Sequence, residues 1–192
     1  GDREQLTMSS ETIAALFAAC LLAGFVGGIA LYVTPTTRPK LIAAAPQIAA
    51  VVAIAATAGS LYFSEVADFA PCKLCWYQRI AMYPMAIILP LALLLRDRLI
   101  MRYAVALAGV GLAISAYHVQ VQWFPERSNS CSFDDPCTAK WVEAFGVFTI
   151  PQMAAMAFAL IVLLSVAVIV DQRSVDDSSN SRQAAGDDQS VA

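Results

Sequence analysis

The chain has 192 residues, of which 59% are hydrophobic and 14% charged, and its mean hydropathy is +0.64. That is too apolar for an ordinary soluble domain and requires an integral membrane protein. The formal net charge is only −3, and the tail DDSSNSRQAAGDDQSVA, with four Asp against one Arg, carries as much by itself; the sequence shows no basic surface for nucleic acid.

A helix that crosses a bilayer needs about 20 mostly apolar residues, and five stretches have this character: 13–33, 41–63, 76–95, 103–123 and 145–170. The first follows GDREQLTMSSE rather than a basic n-region, and its run is longer than the core of a signal peptide, so it is expected to be a retained helix. Cys20 lies inside it, where a lone cysteine serves as a small apolar packing residue. The first two spans are joined by TPTTRPK, with Arg38 and Lys40, and the third and fourth by RDRLIMR, with Arg96, Arg98 and Arg102. Short basic loops mark the cytoplasmic side. The segments SEVADFAPCK and PERSNSCSFDDPCTAKWVEAFG are then expected on the outer face, with the N-terminus outside and the C-terminal tail inside. The tail, 171–192, has the composition of a disordered segment. The sequence carries no internal repeat, no glycine-rich phosphate loop and no acidic cluster spaced for a metal.

Four of the five cysteines, Cys72, Cys75, Cys131 and Cys137, fall in the two outer segments or, for Cys75, between the first of them and the third span, where disulfides persist. The Cys-x-x-Cys of APCKLCWYQRIAMYP suits a redox dithiol, half a metal site or an inert bridge. Its setting favours the first. Pro71 marks a helix start, and the positive end of a helix stabilises a thiolate. Arg79, four residues beyond Cys75, is expected on the same helix face and adds a full charge there. An arginine one turn into a membrane helix is costly and marks function. His118, the single histidine, sits near the outer end of the fourth span, as an interfacial residue or a proton and ligand handler. Trp76, Tyr77, Tyr117 and Trp123 are expected at the interface.

The second pair, in CSFDDPC, has five intervening residues, and its Asp135 and Pro136 favour a turn that brings the two cysteines together. Two pairs on one face suggest a relay, because thiol–disulfide exchange passes a disulfide on through mixed-disulfide intermediates. The loop pair can reach a soluble protein. The pair at the helix mouth borders lipid, where a quinone dissolves, so Cys75 is expected to meet the quinone ring while Arg79 stabilises the thiolate and the charge developing on the quinone oxygen.

The string SLYFSEVADFAPCKLCWYQRIAMYP, the YH of the fourth span and CSFDDPC followed by WVEAFGVFTIPQMA resemble the DsbB/BdbC membrane disulfide oxidoreductases, most of all the short-loop BdbC branch. The resemblance implies an all-α membrane protein with a four-helix transmembrane bundle over 41–170. It implies electron transfer from a thioredoxin-like thiol oxidase of the DsbA/BdbD type to membrane quinone, ubiquinone or menaquinone, in support of disulfide formation in exported proteins. By motif, Cys131 would be attacked by the partner and Cys137 would be its mate, able to pair transiently with Cys72; Cys75 would face the quinone with Arg79, and His118 would lie near the ring. The chain departs from the family in residues 1–40, which add a fifth span and a cytoplasmic loop. Three rivals stand beside this reading, one of them a structural scaffold whose two disulfides are inert staples. In a vitamin K epoxide reductase-like enzyme the loop cysteines precede the Cys-x-x-Cys, whereas here they follow it. A metal-binding membrane protein would gather the four outer thiolates round a soft ion, leaving Arg79 and the aromatic residues without a role.

Overall fold

The computed structural model describes residues 2–97, 99–124, 137–138, 141–144 and 148–190. Cys131 and the loop motif as far as Pro136 lie outside these residues, whereas Cys137 is among them. Five helices follow in order: α1 (Asp2–Val33), α2 (Arg38–Leu61), α3 (Lys73–Leu95), α4 (Ile100–Trp123) and α5 (Ile150–Ser190), with a π turn (Tyr62–Val66) continuing α2. Each helix is long and apolar enough to span a membrane, and the described residues contain no strand. The fold is an all-α membrane bundle, and the protein is multi-pass.

Small residues allow the helices to approach, as expected where lipid removes the usual hydrophobic drive. Ala45, Ala49 and Ala53 of α2 meet Met82, Met85 and Leu89 of α3, Met101, Ala104 and Ala108 of α4, and Phe158, Ile161 and Leu164 of α5 in one buried core. Helices α4 and α5 approach closely: a Cβ added to Gly111 would enter the Phe158 ring, which is 1% exposed. A smaller cluster joins Ala14 and Ala18 of α1 to Phe63, Val142, Ala144 and Met153.

The ends of the helices place the site. Ahead of α5, Ala144 and Phe148 exchange two backbone hydrogen bonds of 2.9 and 2.8 Å. The Thr149 hydroxyl donates to Gln122 Oε1 of α4 at 2.8 Å, while the Thr149 N–H donates to Gln152 Oε1 at 2.8 Å. This closes half of a capping box and starts α5 five residues later than the sequence predicts. At the other end α5 does not stop at residue 170. It continues to Ser190 through residues expected to be disordered, because adding a residue to an existing helix costs far less than nucleating one. The hydroxyls of Ser174, Ser178, Ser179 and Ser181 bond back to carbonyls three or four residues earlier, each at 2.8 Å.

Candidate active site

Cys72 is the N-cap of α3, with extended backbone (φ −70°, ψ 169°), and its sulfur accepts the Cys75 N–H at 3.4 Å. Helix N-terminal N–H groups lack partners within the helix, and a side chain at the N-cap collects one of them. The Cys75 thiol also faces Cys72, with 3.0 Å between the sulfurs, and both cysteines are free thiols. The hydrogen bond from Cys75 lowers the Cys72 thiol from its ordinary 9.0 to about 4; burial opposes the shift, and the hydrogen bond and electrostatic attraction of His118 add to it. Cys72 is thus a thiolate at neutral pH. The charge of the helix start and the converging donors act on Cys72, whereas the sequence places the favoured thiolate at Cys75. The difference follows from position: the cap sulfur lies where the free N–H groups point, and Cys75 spends its own N–H on that cap.

On one side of the pair a cavity of about 330 Å³ opens between α1, α2, α3 and α5. Among the described residues its lining includes Cys75, Gln78 and Arg79 but neither Cys72 nor His118, and it is otherwise largely apolar. Arg79 is fixed at its edge. Its Nε donates to Ser60 Oγ at 3.0 Å and one terminal nitrogen to the Ser60 carbonyl at 3.1 Å, while Tyr83 donates to the same hydroxyl at 3.2 Å. The guanidinium carbon lies 5.2 Å from the Trp76 ring centre and 5.9 Å from that of Tyr83, within cation–π range. These partners carry no negative charge, so the cation keeps its attraction for an anion. Phe63, Phe69 and Trp141 stack in series beside it, at 6.1 and 5.4 Å between centres, and all three line the cavity.

On the other side the site is polar and closed. His118, 2% exposed, has Nδ1 3.1 Å from Gln78 Nε2 and Nε2 3.6 Å from Cys72 Sγ and 3.1 Å from the Cys137 carbonyl. With the Gln78 amide nitrogen donating to Nδ1, the ring proton lies on Nε2 and faces both cysteines. Cys137 is disulfide-bonded, 1% exposed, and packs in one buried cluster with Cys72, Leu74, Val121 and Cys75. The arrangement is a reduced pair between two surroundings, one sulfur against an apolar cavity and the other against a second, oxidised cysteine.

The family model for the disulfide bond formation protein DsbB matches residues 42–168. The chain belongs to the DsbB family. Among curated relatives of this DsbB-family chain, the disulfide bond formation protein C of Bacillus subtilis is 44% identical over 115 residues, covering 59% of this chain and 83% of its own length. A probable disulfide formation protein of Oceanobacillus iheyensis is 41% identical over 123 residues, 62% and 85% of the two chains, and one of Halalkalibacterium halodurans, termed C, is 40% identical over 120 residues, 61% and 87%. No solved structure matches. Family membership makes the protein a membrane disulfide oxidoreductase, and it settles the order-of-cysteines argument against the vitamin K epoxide reductase-like reading.

In this DsbB-family site the structure brings Cys72, Cys75 and Arg79 to one helix mouth, as the sequence predicts, and adds Cys137 beside Cys72. His118 lies behind Cys72, away from the cavity, because Gln78 and the Cys137 carbonyl hold its ring there. Trp76, Tyr77, Tyr117 and Trp123 are exposed and stay outside the cavity lining, in keeping with interfacial roles; the aromatic residues of the cavity are Phe17, Phe63, Phe69, Tyr83, Trp141 and Phe158. Sequence reasoning missed these and Ser60. Gln78 carried a signal, a polar side chain in an apolar run three residues after Cys75, but its partner is 40 positions away. The sulfurs of Cys72 and Cys75 and a ring nitrogen of His118 lie within 4.8 Å of one another, a donor set acceptable to a soft ion. The four-thiolate site of the metal-binding reading is not formed in this state, since a disulfide sulfur at Cys137 is no thiolate.

Proposed function

We propose that this oxidoreductase renews an extracytoplasmic thioredoxin-like thiol oxidase of the DsbA/BdbD type and delivers the electrons to membrane quinone, ubiquinone or menaquinone. The observation that carries the reading is the division of the Cys-x-x-Cys pair: Cys75 lines an apolar cavity with Arg79 at its edge, while Cys72 packs against Cys137 and His118. The residues present suit such an acceptor, with an apolar cavity between membrane helices, aromatic rings beside it and a fixed cation whose partners are neutral.

The cycle balances in two exchanges. A partner thiolate attacks Cys131 and displaces Cys137 as a thiolate; the second partner thiol then completes the partner's disulfide, leaving Cys131 and Cys137 reduced. Cys137 next attacks Cys72 of an oxidised Cys72–Cys75 pair and displaces Cys75 as a thiolate; attack of Cys131 on Cys137 then closes the loop disulfide and releases Cys72, which leaves Cys72 and Cys75 as the dithiol seen here. His118 favours this exchange by donating toward Cys72, which stabilises it as the leaving thiolate. A bound quinone would supply a two-electron, two-proton acceptor for the return of the dithiol to a disulfide. Arg79, held by Ser60, presents positive charge where acceptor oxygens gain electrons, in surroundings that screen it weakly.

The test is optical quinone reduction by the purified full-length protein with a reduced thioredoxin-like protein as donor. Turnover is expected in the unaltered protein and absent in Cys75→Ser, which still traps a mixed disulfide with the donor. Turnover that survives Cys75→Ser would overturn the assignment. Bound metal in stoichiometric amount that protects Cys72 and Cys75 from alkylation would instead favour the metal site.

A further inference from the structure

Helix α1 lies outside the residues matched by the family model, 42–168, yet it is built into the cavity. Phe17, Cys20, Leu21 and Gly24 of α1 are part of the lining. Two close approaches seat the helix. A Cβ on Gly59 of α2 would come within 3.0 Å of the Phe17 ring, and one on Gly24 would lie 3.4 Å from Leu160 of α5. Ser10, Ala14 and Ala18 are each at most 2% exposed, so the turns on either side of Phe17 are also packed.

The cavity has a direction. Gly59 adjoins Ser60, which holds Arg79, so Phe17 marks the polar end. Gly24 is seven residues further along α1, about 10 Å at 1.5 Å per residue. At that depth the lining is apolar, through Leu21, Val52 and Leu160.

We propose that α1 is the wall that holds the apolar tail of the acceptor, with Leu21 and Gly24 as the residues that set its fit. The inference rests on the reading of the cavity as the quinone site, and it gives the added helix a role: selecting acceptors by their tails. A ring between Cys75 and Arg79 leaves the deeper part of the cavity to whatever the ring carries. An isoprenoid chain matches a lining of leucine, valine and glycine, since each methylene buried there adds affinity without a polar partner. The α1 residues need no part in electron transfer. They act on binding.

The test uses the full-length protein in lipid nanodiscs with Cys72 and Cys75 oxidised, and two fully ring-substituted benzoquinones, one with an isoprenoid tail and one with a methyl group in its place. Labelling of Cys20 by a lipophilic maleimide is followed on its own peptide by mass spectrometry. The tailed quinone is expected to slow labelling about fivefold or more, the scale of one or two buried methylenes, and the methyl analogue by less than about twofold. In parallel, Leu21→Trp is expected to raise KM for the tailed quinone by about fivefold and for the methyl analogue by a smaller factor. Equal protection by the two, or none while both are turned over, overturns the inference and leaves the quinone reading standing. An equal change of KM for both in Leu21→Trp also overturns it. Protection by phospholipid alone, with nothing added by quinone, assigns the wall to lipid. Absence of quinone reduction by the unaltered protein removes the reading on which the inference rests, and the inference with it.

Discussion

Cys72 combines three influences that are separable by experiment. Its thiol is held at about 4 chiefly by the hydrogen bond from Cys75, with His118 contributing and burial opposing. Between about 4 and the ordinary 9.0 the folded chain carries a thiolate where an unfolded one carries a thiol. The stabilisation this gives the reduced fold is therefore complete above the ordinary value and lost as pH falls through the lowered one. Alkylation of Cys72 in the reduced protein is expected to vary little from pH 8 to pH 5, where an ordinary thiol slows by about 1,000-fold. In His118→Ala the inflection should move up without reaching the ordinary value, because the Cys75 contact remains; an unmoved inflection would leave His118 a packing residue. Arg79→Ala is expected to lower kcat/KM for quinone by about 10²-fold while mixed-disulfide formation with the donor proceeds, the size of a lost charge-stabilising donor. A defect confined to the donor step would remove Arg79 from the acceptor side. The cysteines and Arg79 were legible because thiol pairs and membrane charges are rare and chemically costly. Ser60 was not, since one hydroxyl in an apolar helix says nothing of the guanidinium 19 positions later.

Among the helices, the five spans followed from hydropathy alone, which counts only the match between apolar length and bilayer thickness. Their contacts were less accessible, because packing in lipid depends on which small residue meets which large one. Gly111 shows this. Alanine there is chemically slight, but its methyl group would enter the buried Phe158 ring, at the tight contact of α4 and α5. Gly111→Ala is expected to destabilise the bundle by about 1–3 kcal/mol, as over-packing of a filled core does. The unfolding midpoint in detergent checks this, and an unshifted midpoint would mean the two helices part at no cost. Gly109, two residues earlier and with open space round its Cβ position, provides the control: alanine there should leave the midpoint unchanged or raise it slightly. The same dependence on partners hid α1's place in the cavity, since Phe17 and Leu21 look in sequence like any lipid-facing residues. The extension of α5 was missed for another reason: a polar composition predicts disorder for a free segment, while this one is joined to a helix already formed.

Five helices that all cross the membrane would put the two ends of the chain on opposite sides, and charge gives the expected orientation. By chain position, Arg38, Lys40, Arg96, Arg98, Arg102, Arg173 and Arg182 lie on the side of the α1–α2 and α3–α4 turns, while Arg3, Lys73, Arg127 and Lys140 lie on the other. The first group is larger and sits mostly in short turns, where positive charge keeps a loop in the cytoplasm. A green fluorescent protein fused after Ala192 is therefore expected to fluoresce, and alkaline phosphatase placed there to be inactive; inserted in the segment between α4 and α5, the phosphatase should be active. The redox chemistry makes the same demand independently. Cys137 is held in a disulfide and shares a buried cluster with Cys72, and a disulfide on the cytosolic side would face a pool that reduces it. The reverse reporter pattern would thus do more than invert the drawing: it would place both cysteine pairs in a reducing compartment and end the case for an outward-facing oxidase relay.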